Sequence, residues 1–106
     1  MKKALLLSIL LLAGCSSVTV LKPGYPPQKP EDVTMILDNV KEYDFVCKEH
    51  EHIAIISTPM MWDGAAAVEK AREKTAEVGG NIFIGNMYLN NFNDAQISGN
   101  AYVCVK

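Results

Sequence analysis

With 106 residues, the chain has room for one small domain. Ten Lys and Arg against twelve Asp and Glu give a formal charge of −2, and loss of Lys2 and Lys3 with a cleaved leader would leave eight against twelve, about −4. That balance argues against nucleic-acid binding. The acidic residues are spread along the chain, as on an ordinary solvated surface.

Met1-Lys2-Lys3 is a short positive head, and residues 4–12 form an apolar run broken only by Ser8, the length of a signal-peptide core. A helix of that length rises about 14 Å against a hydrocarbon core about 30 Å thick, so the run is too short for a permanent span. It ends in Leu12-Ala13-Gly14-Cys15. This sequence resembles the lipobox of bacterial lipoproteins: a Leu, two small residues that leave the scissile bond accessible, and a thiol that accepts lipid. The resemblance implies a signal peptide over residues 1–14, diacylglycerol on Cys15, cleavage just before it, and a further acyl chain such as palmitate on the new amino group. Two or three acyl chains, at about 0.8 kcal/mol per buried CH₂, hold a protein at a membrane almost permanently. Ser16 after the cysteine, with no Asp there, resembles lipoproteins that enterobacteria send to the outer membrane. The expected location is therefore the outer membrane, facing the periplasm.

Pro23, Pro26, Pro27 and Pro30 with Gly24 follow, a composition that resists helix and sheet and favours extended segments. Residues 15–31 thus read as the lipidated cysteine and a Pro-rich tether, able to hold a domain up to about 45 Å from the bilayer. The folded part is expected over residues 32–106. Within it, residues 32–37 read as a strand with a turn at Asp38-Asn39, and residues 43–47 and 53–57 as one bent strand or two short ones. Residues 65–78 carry the clearest helical pattern, with Val68, Ala71, Thr75 and Val78 on one face, Asp63 as cap and Gly79-Gly80 as its stop. Residues 81–88 read as a strand, 90–94 as a polar turn and 101–105 as a last strand. The order β-β-α-β-β is best packed as an α+β domain, one sheet with one helix across a face.

The stretch Glu73-Lys74-Thr75-Ala76-Glu77-Val78-Gly79-Gly80-Asn81-Ile82-Phe83-Ile84 resembles the helix-Gly-Asn-strand segment of small envelope domains that include the Rcs stress-sensing outer-membrane lipoprotein. Ala101-Tyr102-Val103-Cys104 is similar to that family's final strand. The resemblance implies a fold. That family's sensor carries four domain cysteines in two disulfides, whereas this chain has only Cys47 and Cys104 besides Cys15, so its signalling role does not carry over.

Cys47 and Cys104 are an even pair in a secreted domain and candidates for a disulfide; buried free thiols are the alternative. His50 and His52 in Lys48-Glu49-His50-Glu51-His52 share one face of an extended segment, but two imidazoles are not a metal site without further ligands. Ser57 and Ser98 lie in no nucleophile motif, so no catalytic residues are assigned, and no cofactor is implied. Pro59-Met60-Met61-Trp62 is an apolar cluster in an expected loop, where Met60, Met61 and Trp62 would form an adaptable contact surface, unless Trp62 folds back over the sheet edge. Asn86, Asn90, Asn91 and Asn93 could hydrogen-bond glycan but suit turn geometry equally well. Taken together, the residues point to a non-catalytic binding or sensing module, joined to the membrane through Cys15 and contacting another envelope component such as a protein. The alternatives are a structural envelope lipoprotein, whose tether length would matter most, and a metal-binding module at His50 and His52.

Overall fold

The computed structural model describes residues 16–37 and 49–104. The leader, Cys15, the strand expected at 43–47 with Cys47, and Val105 lie outside the described residues. The described chain forms one sheet of five strands: β1 (Ser17–Val20), β2 (Thr34–Ile36), β3 (His50–Ser57), β4 (Ile82–Leu89) and β5 (Ala95–Cys104). Their order across the sheet is β1-β3-β5-β4-β2. β4 and β2 are parallel, and the other neighbours are antiparallel. A single α-helix, α1 (Gly64–Glu77), lies across one face against β5, β4 and β3. The expected α+β arrangement is therefore the one adopted.

The tether is a correction. Residues 16–31 do not hang free, because Ser17-Val18-Thr19-Val20 pairs antiparallel with β3, from Ser17 opposite Ser57 to Val20 opposite Ala54. Two β-branched valines and a threonine favour this pleated edge, and every proline of the supposed tether falls after it. Beyond β1 the chain stays attached. The amides of Leu21 and Lys22 donate to the Ile53 carbonyl at 2.8 and 3.1 Å, and that of Gln28 to the Ala76 carbonyl at 2.8 Å. Proline-rich composition here marks an extended strap across the C-terminal end of α1, leading into a 3₁₀ turn (Pro30–Asp32) and β2 at the opposite edge.

Small side chains bring α1 close to the sheet. Ala67, Ala71 and Thr75, spaced by four, are buried, together with Ala76. Asp63 caps the helix, accepting from the Ala66 amide at 2.8 Å. At the other end Gly79, at φ 94°, adopts the left-handed conformation, and the Gly80 amide donates back to the Thr75 carbonyl at 2.9 Å. The helix matches the expected one to within a residue at each end.

On the sheet, period-two alternation sends Phe83 and Met87 of β4 and Ala95, Ile97, Ala101 and Val103 of β5 to the helix side. In β3 a bulge between His52 and Ala54 lets consecutive Ile53 and Ala54 both be buried. β5 begins at Ala95, well before the expected residue 101. The strand directions gather the start of β1, the end of β3, the start of β5 and the end of β4 at one end of the sheet, and Gly64 at the start of α1 lies there too, against Met87.

Candidate functional site

That end of the sheet is where the apolar surface collects. After Ser57, β3 leaves regular pairing but keeps company with β5: the Thr58 amide donates to the Ile97 carbonyl at 2.8 Å, and Met61 and Ala95 exchange amide-to-carbonyl bonds at 2.7 and 2.8 Å. Leu89 lies opposite Ala95 from the other side. Met61, Ala95 and Leu89 are therefore level. Neighbouring residues on these segments then project from the same rim: Met60 is 50% exposed, Trp62 72%, Tyr88 53%, Leu89 64% and Phe92, in the turn after β4, 81%.

Of the three apolar residues expected to form a contact surface, the structure exposes Met60 and Trp62 and turns Met61 inward against the core. The bridge to Ala95 decides this, since adjacent residues of an extended segment point to opposite sides. Trp62 does not fold back over the sheet edge. Tyr88, Leu89 and Phe92 escape a local reading because they come from another hairpin. Only the register of β4 with β5, and of β5 with the 58–61 segment, places them at the same end of the sheet as Trp62. Phe92 within the polar stretch Asn90–Asp94 was the available signal: Asn90 Oδ1 accepts from the Phe92 and Asp94 amides at 2.8 and 3.0 Å, building a turn that carries its aromatic ring outward.

The two histidines occupy the sheet face away from α1. His52 Nε2 is 2.8 Å from Asn100 Oδ1, and its ring stacks on Tyr102 at 5.1 Å between centroids, with His50 meeting the same tyrosine edge-on at 5.9 Å. Farther along that face the Ser57 and Ser98 hydroxyls are 2.6 Å apart. Among the described residues no group of three His, Cys, Asp or Glu is arranged to hold a metal ion. This polar ladder ties β3 to β5 across the face.

At the opposite end of the molecule Tyr25, on the strap, donates its hydroxyl hydrogen bond to Glu51 of β3, and Lys22 Nζ stands 3.6 Å from the same carboxylate. The tyrosine's hydrogen bond, supported by Lys22, holds the Glu51 carboxyl below the usual carboxylate range, and the same bond, followed by desolvation and the carboxylate's charge, raises the Tyr25 phenol. A lowered Glu51 contributes stability above its unfolded pKa and loses it as pH falls through the folded value; a raised Tyr25 contributes below its unfolded pKa and loses it as pH rises through the folded value. The strap contact is thus strongest between these limits. The stability difference between the wild type and Tyr25→Phe, measured by urea unfolding, should be present near pH 7 and shrink as pH falls below the ordinary carboxylate range. A difference that grows on acidification would contradict the assignment.

Cys104 is the last residue of β5, and Cys47, the other half of the expected pair, lies outside the described residues.

A five-stranded mixed sheet with one helix on a face defines a small α+β domain. No protein-family model matches the chain, and no curated protein does. Among solved structures it is similar to the crystal structure of a Francisella virulence factor, FvfA, with a TM-score of 0.55 at 14% identity, covering 81% of this chain and 94% of that one. At that identity the likeness is one of fold.

Proposed function

We propose that the protein is a lipoprotein of a bacterial cell envelope, anchored through acylated Cys15, whose domain is a non-catalytic binding module that meets another envelope component with the apolar end of its sheet. The observation that carries this reading is positional: Cys15, in its Leu-Ala-Gly-Cys context, stands two residues before Ser17, where β1 enters the sheet at that end. The outer membrane, with the domain facing the periplasm, is the location that Ser16 favours. An oxidising compartment would suit a disulfide at Cys104. With Cys15 acylated, Cys47 is its remaining partner in the sequence, and the resulting loop of about 57 residues would contribute on the order of 4 kcal/mol in the chain-entropy account. The alternative of a structural role through occupancy or spacing has less support, because β1 and the strap occupy residues of the expected tether. The test is fractionation of cells making the full chain. The protein is expected to sediment with membranes, to resist a high-salt wash and to be released by detergent; release by salt alone would overturn the reading.

A further inference from the structure

We infer that the envelope component met by the apolar end of the sheet is the lipid bilayer itself, with Trp62, Tyr88, Leu89 and Phe92 seated at the membrane interface beside the anchor. This rests on the acylation of Cys15 and deepens it by assigning a lipid-binding surface to the domain. Eight large hydrophobic residues are exposed among the described residues, and five of them, Met60 and these four, lie at one end. That concentration sets the end apart from ordinary scattered surface apolar residues.

The position of the end relative to the anchor selects the occupant. The row Ser17-Ser57-Ser98-Asn86 runs across β1, β3, β5 and β4, three strand spacings or about 14 Å. Leu89 and the Met61 level lie three residues past that row, about 10 Å outward, whereas Cys15 can reach at most about 7 Å past Ser17. Two residues before Ser17 the chain carries its proposed acyl chains, so they leave the sheet at this end, and a bilayer that receives them must approach the same end. Among the described residues no free tether holds the domain away, since β1 starts at Ser17.

The chemistry of the rim fits lipid. Trp and Tyr carry an apolar body and a polar edge and settle at the headgroup boundary, while Leu89 and Phe92 add apolar area. Segments 57–64 and 86–98 contain no Lys or Arg, and Asp63 and Asp94 are their acidic members. Attraction to anionic headgroups is thus excluded as the driving force, and insertion of apolar side chains remains.

Trp62 is the sole tryptophan in the chain, so its fluorescence reports this contact without labelling. The full acylated protein, purified from membranes in detergent and reconstituted into phosphatidylcholine vesicles, is compared in plain lipid and in lipid brominated on the acyl chains. Bromolipid is expected to quench Trp62 emission at least twofold, and L89S and F92S, both at exposed positions, to weaken that quenching without altering the acylated mass. Unquenched emission from protein that floats with the vesicles and carries its acyl chains would overturn the bilayer contact and leave the anchoring intact. An unmodified Cys15 in the intact mass would overturn both. Capture of one repeated protein by a photo-crosslinker at position 62 in cells, with no quenching in vesicles, would assign the rim to a protein partner instead.

Discussion

Replacing Phe83 by alanine is expected to cost about 3–5 kcal/mol, enough to leave a domain of this size marginally folded. Phe83 is fully buried and is the largest such side chain in the described core. Its ring lies over a pair of glycines, Gly85 and Gly99, which face each other across β4 and β5. A Cβ added at Gly85 would sit 2.8 Å from Phe83 Cε2, and one at Gly99 would sit 2.7 Å from Phe83 Cζ, so the aromatic ring fills the space that side chains at these positions would take. Removing the ring leaves a cavity over exposed glycine backbone in the middle of the sheet, and the flanking strands are too constrained to collapse into it. Urea unfolding of the purified variant checks the figure, and a loss below about 1 kcal/mol would mean that the ring does not hold the β4–β5 pair together.

Cys15→Ala is expected to abolish lipidation and processing together. Acylation and cleavage both depend on the thiol in the lipobox reading, so the variant should take up no labelled palmitate and keep residues 1–14. The wild type should show the reverse, with a shorter chain carrying lipid. The consequence for attachment is large, because a single acyl chain binds membranes only marginally whereas two or three hold almost permanently, and the variant would have none. Labelled palmitate appearing on Cys15→Ala would place the lipid elsewhere and detach the apolar rim from its explanation.

Much of the domain could be read locally. The helix shows its inner face through Ala71 and Thr75 and its limits through Asp63 and Gly79, all of which act within one turn of the chain. β1 was hidden because four prolines follow its four residues within the next ten, and composition averaged over the segment reports the strap instead of the strand. The first half of β5 was hidden for a different reason. Gln96, Ser98 and Asn100 alternate with Ala95, Ile97 and Gly99, a period-two pattern in which Ile97 is the one large apolar member and whose polar members line the open face. The candidate surface was only half legible. Met60 and Trp62 announce themselves as apolar residues in a loop, but Met61 between them faces the core because of a single bridge to Ala95. Tyr88, Leu89 and Phe92 join them through strand register, a long-range property that no window of sequence contains.

The proposed membrane-facing end of the sheet is the one where β1 starts, and that proposal depends on what Cys15 carries. The most direct measurement is the intact mass of the protein extracted from cell membranes, with fragmentation from its N-terminus. The expected result is a chain starting at Cys15, with two or three acyl chains on that residue. A chain that keeps residues 1–14, or one that starts beyond them with an unmodified Cys15 thiol, would contradict the lipid anchor and with it the bilayer contact of Trp62, Tyr88, Leu89 and Phe92.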